Sequence, residues 1–194
     1  MRDSFKVALR RSRLQVREQL SLEYQNTASS KVCNRISSLE EYRKSKRIAL
    51  YQAIGGEISL NNLWNSAPLQ GKFCYFPVLG ENKSLLFLPA TPSTPFKLNR
   101  FGIKEPDIDI SEAISPEYID IIFMPLVVFD EYGTRVGMGA GYYDRTLAQV
   151  AHQRLIGVAY EFQYYPYIEP QSWDIPMAGV VTPQRILWRK KRQS

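Results

Sequence analysis

The sequence predicts an α/β fold: a single domain over residues 1–194, with a largely parallel, mixed sheet flanked by helices in a Rossmann-like three-layer arrangement. Three observations favour this class. Short apolar runs alternate with segments of helical periodicity along the chain. An apolar run at 119–129 leads directly into a glycine-rich loop, as a central strand of such a sheet does. No internal repeat or long linker interrupts the 194 residues, a length that one core can serve.

Two helices are expected before the first strand. Residues 3–19 place apolar side chains at helical spacing with basic residues between them, and Asp3 or Ser4 is the expected N-cap. Residues 22–39 show a second helical pattern that opens at Ser21. The N-terminal fifth of the chain is therefore predicted to be helical.

Strands and helices alternate over the rest of the chain. A short buried strand is predicted at 48–51 and, after the break at Gly55 and Gly56, a helix at 58–64. Apolar runs bounded by turn residues predict the remaining elements. These are strands at 73–78, 85–88, 119–129, 155–160, 180–182 and 186–188, and a helix at 142–150.

Residues 89–106 are predicted to form a long loop. This stretch contains four prolines, with Phe96, Phe101 and Ile103 among them. Long loops in compact domains are usually either functional or disordered. The interleaved aromatic residues favour an ordered loop that covers a ligand.

Composition and net charge indicate the class of protein and the kind of partner to which this chain is suited. Hydrophobic residues make up 44% and charged residues 23%, which is ordinary for a globular protein, and the net charge of +6 suits anionic partners. The basic run at 189–192 is typical of a solvated chain end. Cys33 and Cys74 fit neither a zinc spacing nor a disulfide framework, so both are expected to be buried. Without a signal peptide or a membrane-length apolar run, we expect a cytoplasmic protein.

The most informative segment is the glycine-rich loop. Gly133, Gly137, Gly139 and Gly141 fall within nine positions, a density that lets backbone N–H groups converge on an anion. The spacing matches neither the P-loop nor the dinucleotide fingerprint. A flexible hairpin tip or a tight strand-to-helix turn is the alternative. Charged neighbours at 135, 144 and 145 favour a site for nucleotide phosphates.

Basic residues on the first predicted helix form a second candidate. Lys6 and Arg10 are four residues apart, and so are Arg13 and Arg17. Like charges at this spacing repel by a few tenths of a kcal/mol unless an anion lies between them. The alternative is a solvated basic face. A triphosphate that spans Lys6, Arg10 and the glycine loop would favour a binding role over that alternative.

Acidic residues form a third group of candidates. Glu57 follows two glycines at a strand end, where α/β sheets bind ligands, and a helix N-terminal acid is the alternative. Asp144 and Asp174 suit Mg²⁺, which takes one or two carboxylates plus phosphate oxygens, although either also fits a capping or turn role. The only histidine, His152, is expected on the surface, and no nucleophilic triad includes it.

At these residues the chain resembles the 5-formyltetrahydrofolate cyclo-ligases, also called 5,10-methenyltetrahydrofolate synthetases. The strongest match joins residues 124–130 (Met-Pro-Leu-Val-Val-Phe-Asp) to residues 133–145 (Gly-x-Arg-x-Gly-x-Gly-x-Gly-Tyr-Tyr-Asp-Arg). Agreement extends over nearly the whole chain. It includes Lys6-x-x-x-Arg10, the Gly-Gly-Glu at 55–57, and the segments 101–106 and 180–183.

The resemblance implies an ATP- and Mg²⁺-dependent ring closure. In this family 5-formyltetrahydrofolate becomes 5,10-methenyltetrahydrofolate, with release of ADP and phosphate, through phosphorylation of the formyl oxygen and attack by N10. The implied partner is that small molecule, with or without a polyglutamate tail. We expect no nucleic-acid partner, no membrane association and a monomer.

The resemblance also implies residue roles. Arg135 and Tyr143 would be catalytic, and Asp144 and Asp174 would ligate Mg²⁺; the family often has a second acid where this chain has Ala178. The implied ATP-binding residues are Lys6, Arg10, Arg135, Val136, Gly137, Met138, Gly139, Ala140, Gly141, Tyr142 and Tyr143. The implied substrate-binding residues are Gln52, Glu57, Phe101, Met138, Gly139, Ala140, Gly141 and Tyr142, with Glu57 holding the pterin through its N–H donors.

Two other functions use the same features. A phosphoryl-transfer enzyme that acts on another small carboxylate or amide would need the same glycine cradle. A nucleic-acid-binding domain would use the basic helix and the basic tail, but no DNA- or RNA-reading motif is visible.

Overall fold

The structure is a computed structural model that describes residues 4–191, and it confirms the predicted α/β class. The helices are α1 (Ser4–Glu18), α2 (Leu22–Ser38), α3 (Glu40–Lys44), α4 (Asn61–Ser66) and α5 (Tyr142–Thr146). The strands are β1 (Arg47–Ala49), β2 (Phe73–Leu79), β3 (Leu85–Pro89), β4 (Phe96–Leu98), β5 (Lys104–Pro106), β6 (Ile121–Pro125), β7 (Val128–Phe129), β8 (Arg135–Val136), β9 (Leu155–Val158), β10 (Gly179–Val181) and β11 (Ile186–Trp188).

The main sheet has seven strands in the order β11-β10-β9-β6-β1-β2-β3. Its central strands β2, β1, β6, β9 and β10 are parallel, and the edge strands β3 and β11 are antiparallel to their neighbours. The chain builds the sheet outward from β1 in one direction and outward from β6 in the other. The strand order therefore reverses between β1 and β6, the place where open α/β sheets bind ligands.

Apolar residues of the central strands pack on both faces of the sheet. Along β6, Ile121 and Phe123 join a buried cluster that includes residues of α2, α3 and α4. Ile122 and Met124 join a second cluster that includes Leu147, just after α5. This two-residue alternation places helices on opposite faces of the sheet, in agreement with the predicted layers.

The two N-terminal helices are anchored differently. α2 begins as predicted, because the Ser21 side chain accepts a hydrogen bond from the N–H of Tyr24. α1 buries only Leu9 and Arg17, and Leu9 packs in a small cluster with residues of β7 and β8. The expected cap Asp3 lies outside the described residues. α1 therefore has few apolar contacts to hold it against the domain.

The predicted loop over 89–106 is wrong in part, because β4 and β5 form an antiparallel hairpin within it. Phe96 of β4 packs edge-on against Trp64 and Phe76, so the hairpin is attached to the first core cluster. The Asn99 side chain accepts hydrogen bonds from two N–H groups of the turn between the strands. These long-range contacts give order to a segment whose prolines indicate a loop.

The single strand predicted over 119–129 is also wrong, since β6 ends at Pro125 and β7 begins at Val128. The carbonyl groups of Leu126 and Val127 accept hydrogen bonds from the buried Gln163 side chain instead of from a strand. β7 then pairs with β8 as a separate hairpin. The break turns the chain away from the sheet and toward the glycine loop.

Helix lengths differ from the predictions, whereas smaller expectations are confirmed. The helix predicted over 142–150 ends at Thr146, because the next residues form tight turns, and the helix predicted over 58–64 begins at Asn61. His152 is exposed, as expected. Cys33 and Cys74 are buried free thiols, and burial raises their pKa values to about 11 and about 12.

We expect Gly133→Ala to destabilise the fold strongly, with Gly71→Ala as a matched control. Both glycines have left-handed φ angles, +82° and +66°. A Cβ at Gly133 would lie 2.5 Å from the Met177 carbonyl oxygen, whereas a Cβ at Gly71 would meet no atom within 4 Å. The backbone strain of about 1–2 kcal/mol is common to both variants. The clash should cost Gly133→Ala at least about 2 kcal/mol more in free energy of unfolding by urea. Equal losses in the two variants would contradict this packing role.

Candidate functional site

The candidate site lies at the carboxyl ends of β1 and β6, the two strands between which the sheet order reverses. After β1 the chain continues into the loop that contains Gln52 and Glu57. After β6 it passes through the β7–β8 hairpin into the glycine loop, residues 137–141, and then into α5. Loops at this edge of a doubly wound sheet surround a common crevice. The fold therefore brings together two segments that are about 80 residues apart in the sequence.

The glycine loop combines unbonded amide groups with carbonyl groups that are held by side chains. The N–H groups of residues 138–141 donate no hydrogen bond to any acceptor within the described range 4–191. Two carbonyl groups of the loop are held by arginines: Arg10 Nε donates to the Gly137 carbonyl at 2.7 Å, and Arg145 donates to the Ala140 carbonyl. Met138 is 57% exposed, so the loop surface is open. Free amides and anchored carbonyls are the arrangement that binds an anion.

One face of α1 lies against this loop. The Arg10 guanidinium is 3.4–3.5 Å from the point where a Cβ of Gly139 would be, and Gly139 has a φ of +101°. Lys6 Nζ lies 3.3 Å from Asp174 Oδ2. Lys6, Arg10 and Arg13 are partly buried and Arg17 is 2% exposed. The alternative of a fully solvated basic face is therefore wrong.

The two candidate metal ligands lie on neighbouring segments, Asp144 in α5 and Asp174 in the loop before β10. Asp144 Oδ1 accepts hydrogen bonds from Arg135 Nη2 at 2.6 Å and from the Ile175 N–H at 3.2 Å. Asp174 precedes Ile175, and its Oδ2 accepts the Gln171 N–H at 2.9 Å. Arg135 also donates Nη1 to the Ile175 carbonyl at 2.6 Å, so both of its terminal nitrogens are engaged in the protein. Arg135 thus ties the two carboxylate segments together.

These carboxylates fit a hard cation that also binds phosphate. Within the described residues, Asp144 Oδ2 and Asp174 Oδ1 accept no hydrogen bond, so each acid keeps one oxygen for a ligand. In that part of the chain no three His, Cys, Asp or Glu side chains are placed so that they could hold a metal ion together. Two carboxylates plus phosphate oxygens and water suit Mg²⁺ better than a closed protein cage does.

Gln52 and Glu57, the two predicted pterin contacts, line one cavity of about 220 Å³. Its other lining residues are Gln25, Ala53, Gly56, Ser59 and Asn61. All of these side chains are small or polar and uncharged, so Glu57 is the only charged group of the lining. A ligand in this cavity would therefore meet one carboxylate among neutral hydrogen-bonding groups.

The Glu57 carboxylate is buried, and each of its two oxygens has one partner among the described residues of the protein. It is 7% exposed, its Oε2 accepts the Ile54 N–H at 3.1 Å, and its Oε1 lies 3.5 Å from Arg17 Nη1. Burial raises the pKa of Glu57 to about 7, and Arg17 and the Ile54 N–H counteract that rise. Because α4 begins only at Asn61, the alternative of a helix N-terminal acid is wrong.

Three tyrosines surround the Glu57 loop. Tyr51 Oη donates to the Ile58 carbonyl at 2.7 Å, and Tyr160 Oη donates to the Gly56 carbonyl at 2.9 Å. Tyr143, two residues after the glycine loop, interacts electrostatically with Glu57, and burial raises the pKa of its phenol. Arg10 and Arg17, two turns apart on α1, contact the glycine loop and the Glu57 loop respectively, so both loops lie along one face of that helix.

The β4–β5 hairpin contacts Tyr142, the first residue of α5 after the glycine loop. Arg100 Nη2 donates to Tyr142 Oη at 2.7 Å, and the rings of Phe101 and Tyr142 meet edge-on with centroids 6.2 Å apart. Phe101 is itself 55% exposed. The structure thus places the predicted substrate contacts Phe101 and Tyr142 side by side.

Sequence reasoning missed the partner of Arg17 and the contact made by Arg100. A signal for Arg17 was present: at 100° per residue, positions 6, 10, 13 and 17 fall within an arc of about 60° on a helical wheel. Residues that share one face share one environment. No comparable pattern indicates Arg100, because its contact depends on the position of the hairpin.

Comparisons with known proteins match the family that the sequence resembles. The family model for the 5-formyltetrahydrofolate cyclo-ligase family matches residues 2–183. The chain is 39% identical over 170 residues to the 5-formyltetrahydrofolate cyclo-ligase of Haemophilus influenzae, covering 86% of this chain and 91% of that relative. It is 33% identical over 176 residues to the Escherichia coli K12 cyclo-ligase, covering 89% of this chain and 97% of that relative.

Solved structures of the same class have the same fold. The NMR structure of Aquifex aeolicus 5,10-methenyltetrahydrofolate synthetase aligns with a TM-score of 0.83 at 36% identity, over 97% of this chain and 95% of that chain. The synthetase of Mycoplasma pneumoniae aligns with a TM-score of 0.74 at 26% identity, over 92% of this chain and 98% of that chain. None of the helices between residues 4 and 191 has the length and apolar character that crossing a bilayer requires.

We expect Glu57→Gln to change how stability depends on pH. The Glu57 pKa is raised from 4.5 to about 7 in the folded protein, so the folded state keeps a proton that the unfolded state loses. The contribution of Glu57 to the free energy of unfolding is fully present below pH 4.5 and is lost as the pH rises through about 7. From pH 5 to pH 8 the Gln variant should gain on the order of 2–3 kcal/mol over the parent in urea unfolding. Glu112→Gln, at an exposed position, is the control and should show no such trend.

Proposed function

Because this chain belongs to the 5-formyltetrahydrofolate cyclo-ligase family, we propose that it converts 5-formyltetrahydrofolate to 5,10-methenyltetrahydrofolate with ATP as co-substrate and Mg²⁺ as the required ion. One observation carries the proposal for the site: the glycine loop with its free amides and the Glu57 loop both contact the same face of α1, through Arg10 and Arg17. A phosphate site and a cavity with a single carboxylate are then close enough for one reaction.

ATP phosphates bind at the glycine loop. The amides of residues 138–141 supply hydrogen-bond donors, and the Arg10 guanidinium beside Gly139 supplies a positive charge. Lys6, one turn earlier on the same face of α1, adds a second cation beside Asp174. Charge neutralisation of this kind is the main contribution that a protein makes to phosphoryl transfer.

Asp144 and Asp174 would hold Mg²⁺ through their unbonded oxygens, and the ion would supply neutralisation of phosphate charge. Arg135 contributes indirectly, because its guanidinium orients Asp144 and the Ile175 carbonyl. We therefore assign Arg135 a positioning role for Asp144. Tyr143 lies in α5 just after the glycine loop, and burial raises the pKa of its phenol, which therefore keeps its proton at neutral pH. It can therefore donate a hydrogen bond to the reacting oxygen.

The bicyclic head of the folate occupies the cavity with Gln52 and Glu57. The head carries N–H donors on one edge, and the ionised Glu57 carboxylate accepts hydrogen bonds there, with Gln52 on the same lining. Phe101 and the hairpin around it cover the substrate beside Tyr142. Held at both ends, the substrate presents its formyl group to the phosphates.

The chemistry then proceeds in two steps. The formyl oxygen attacks the γ-phosphorus of ATP, and ADP leaves with the electrons of the broken P–O bond. N10 adds to the activated formyl carbon and loses its proton, and the C–O bond breaks to release phosphate and the methenyl product. Phosphorylation turns a poor leaving oxygen into a good one, so the protein contributes positioning and charge neutralisation.

The direct test is an absorbance assay for the methenyl product. Purified protein with folinate, ATP and Mg²⁺ should form the methenyl chromophore with one ADP per product, and omission of Mg²⁺ should abolish the signal. ADP release without the chromophore, on folinate or on other small carboxylates, would favour a different phosphoryl transfer. Absence of both products would overturn the proposal.

We expect Gly137→Ala to weaken nucleotide use without weakening the fold. The φ angle of Gly137 lies outside the left-handed region, and a Cβ there would meet no protein atom within 4 Å. The added methyl group can therefore clash only with a ligand. The KM for ATP should rise about tenfold or more, because small displacements of the phosphates cost much rate. The thermal midpoint should stay near that of the parent. An unchanged KM for ATP would place the phosphates elsewhere.

A further inference from the structure

Arg17 lies in the same row of α1 cations but away from the glycine loop. Its Nε donates to the Gly55 carbonyl at 2.8 Å, and its Nη1 lies 3.5 Å from Glu57 Oε1. The Arg17 side chain is 3% exposed, and Nη1 has no hydrogen-bond partner in the part of the chain that is described. A buried guanidinium is costly unless a charge compensates it. Glu57 is its only ion-pair partner among residues 4–191.

The Glu57 loop is shaped to admit this arginine. Gly55 and Gly56 both adopt left-handed φ angles, +52° and +76°. A Cβ at Gly56 would lie 3.0 Å from the Arg17 carbonyl oxygen and 3.4 Å from its Cγ, and a Cβ at Gly55 would lie 3.7 Å from Arg17 Nη2. The glycine pair therefore lets the loop wrap closely around Arg17 as well as turn.

We propose that Arg17 is the positioning residue for substrate recognition: it holds the Glu57 carboxylate ionised and oriented so that it accepts the N–H donors of the folate head in the adjoining cavity. The inference rests on the proposed function and deepens it. Arg17 itself does not line the cavity, so it acts through Glu57.

No other charge near Glu57 can replace Arg17. The titratable groups that face this carboxylate from the packed elements are the phenols of Tyr51, Tyr143 and Tyr160. Burial raises the pKa of each phenol, so all three stay neutral between pH 5 and pH 9. Without Arg17, burial would raise the Glu57 pKa above about 7, and at neutral pH the carboxyl would hold a proton. A protonated carboxyl presents a donor where the substrate needs an acceptor.

The test measures folinate recognition by Arg17→Met and Arg17→Lys between pH 6 and pH 9. For the parent, the KM for folinate at saturating ATP and Mg²⁺ should rise as the pH falls below about 7. For Arg17→Met at pH 7 the KM for folinate should be about 10- to 100-fold higher than for the parent, which is the effect of losing hydrogen bonds to a charged group. Between pH 7 and pH 9 the KM of this variant should fall toward the parent value. Arg17→Lys keeps the charge, so its pH profile should stay close to that of the parent. The KM for ATP should change less than about twofold in each variant, since the phosphate contacts are intact.

Two controls separate positioning from general damage to α1. Glu57→Gln cannot titrate, so its KM for folinate should be high and independent of pH. Adding Arg17→Met to Glu57→Gln should change that KM no further, because coupled residues are not additive. Arg11→Met, at an exposed position on the same helix, should match the parent in both profiles. Thermal melts of each variant identify unfolded protein, and folinate titration without ATP reports binding alone.

The outcomes distinguish this inference from the proposed function. If the parent forms no methenyl product, the proposed function itself fails. If the parent is active and Arg17→Met keeps the parent's pH profile, or adds its full effect to Glu57→Gln, then Arg17 is only structural and the inference is overturned. Should Arg17→Met not fold, Arg17→Gln carries the same test, because an amide can still donate to the Gly55 carbonyl while the charge is gone.

Discussion

Lys6, Arg10, Arg13 and Arg17 project from one face of α1, and that face is turned toward the domain. Packing four cations side by side is unfavourable unless anions or carbonyl groups compensate them. The structure supplies Asp174, two loop carbonyls and Glu57 as partners, yet it leaves Arg13 Nε buried without a hydrogen bond within the described residues. α1 buries little apolar surface, so the contacts of its cations hold it against the domain. The same cations give the candidate site its positive charge.

This interaction also sets the dimensions of the candidate site. Lys6 and Arg17 are eleven residues apart, which corresponds to about 16 Å along a helix. One end of that span contacts the Asp174 segment, the middle contacts the glycine loop through Arg10, and the other end contacts the Glu57 loop. The helix therefore holds the glycine loop, where we propose that phosphates bind, at a constant separation from the Glu57 loop. Reactions that join two substrates depend on this kind of positioning.

If Glu57 recognises the substrate as proposed, burial of its carboxylate is a compromise between stability and recognition. A carboxyl with a pKa raised to about 7 weakens the folded state at neutral pH, and the buried Arg17 also costs desolvation energy. Replacing both with apolar residues would make a more stable loop, but one without an ionised acceptor in the cavity. Functional sites commonly retain such unfavourable groups because their chemistry requires them.

Periodicity and local spacing determined much of this protein from sequence alone. They predicted the α/β class, the Ser21 cap of α2 and the glycine loop, because each depends on residues close together in the chain. Tertiary structure decided the break of the 119–129 run, where Gln163 replaces a strand partner, and the pairing of Arg17 with Glu57. The spacing of the four α1 cations in the sequence is the same whether their side chains face water or a carboxylate. Contacts between segments that are distant in the sequence determine whether each cation faces water or a carboxylate. Burial then sets the desolvation energy of the charged side chain.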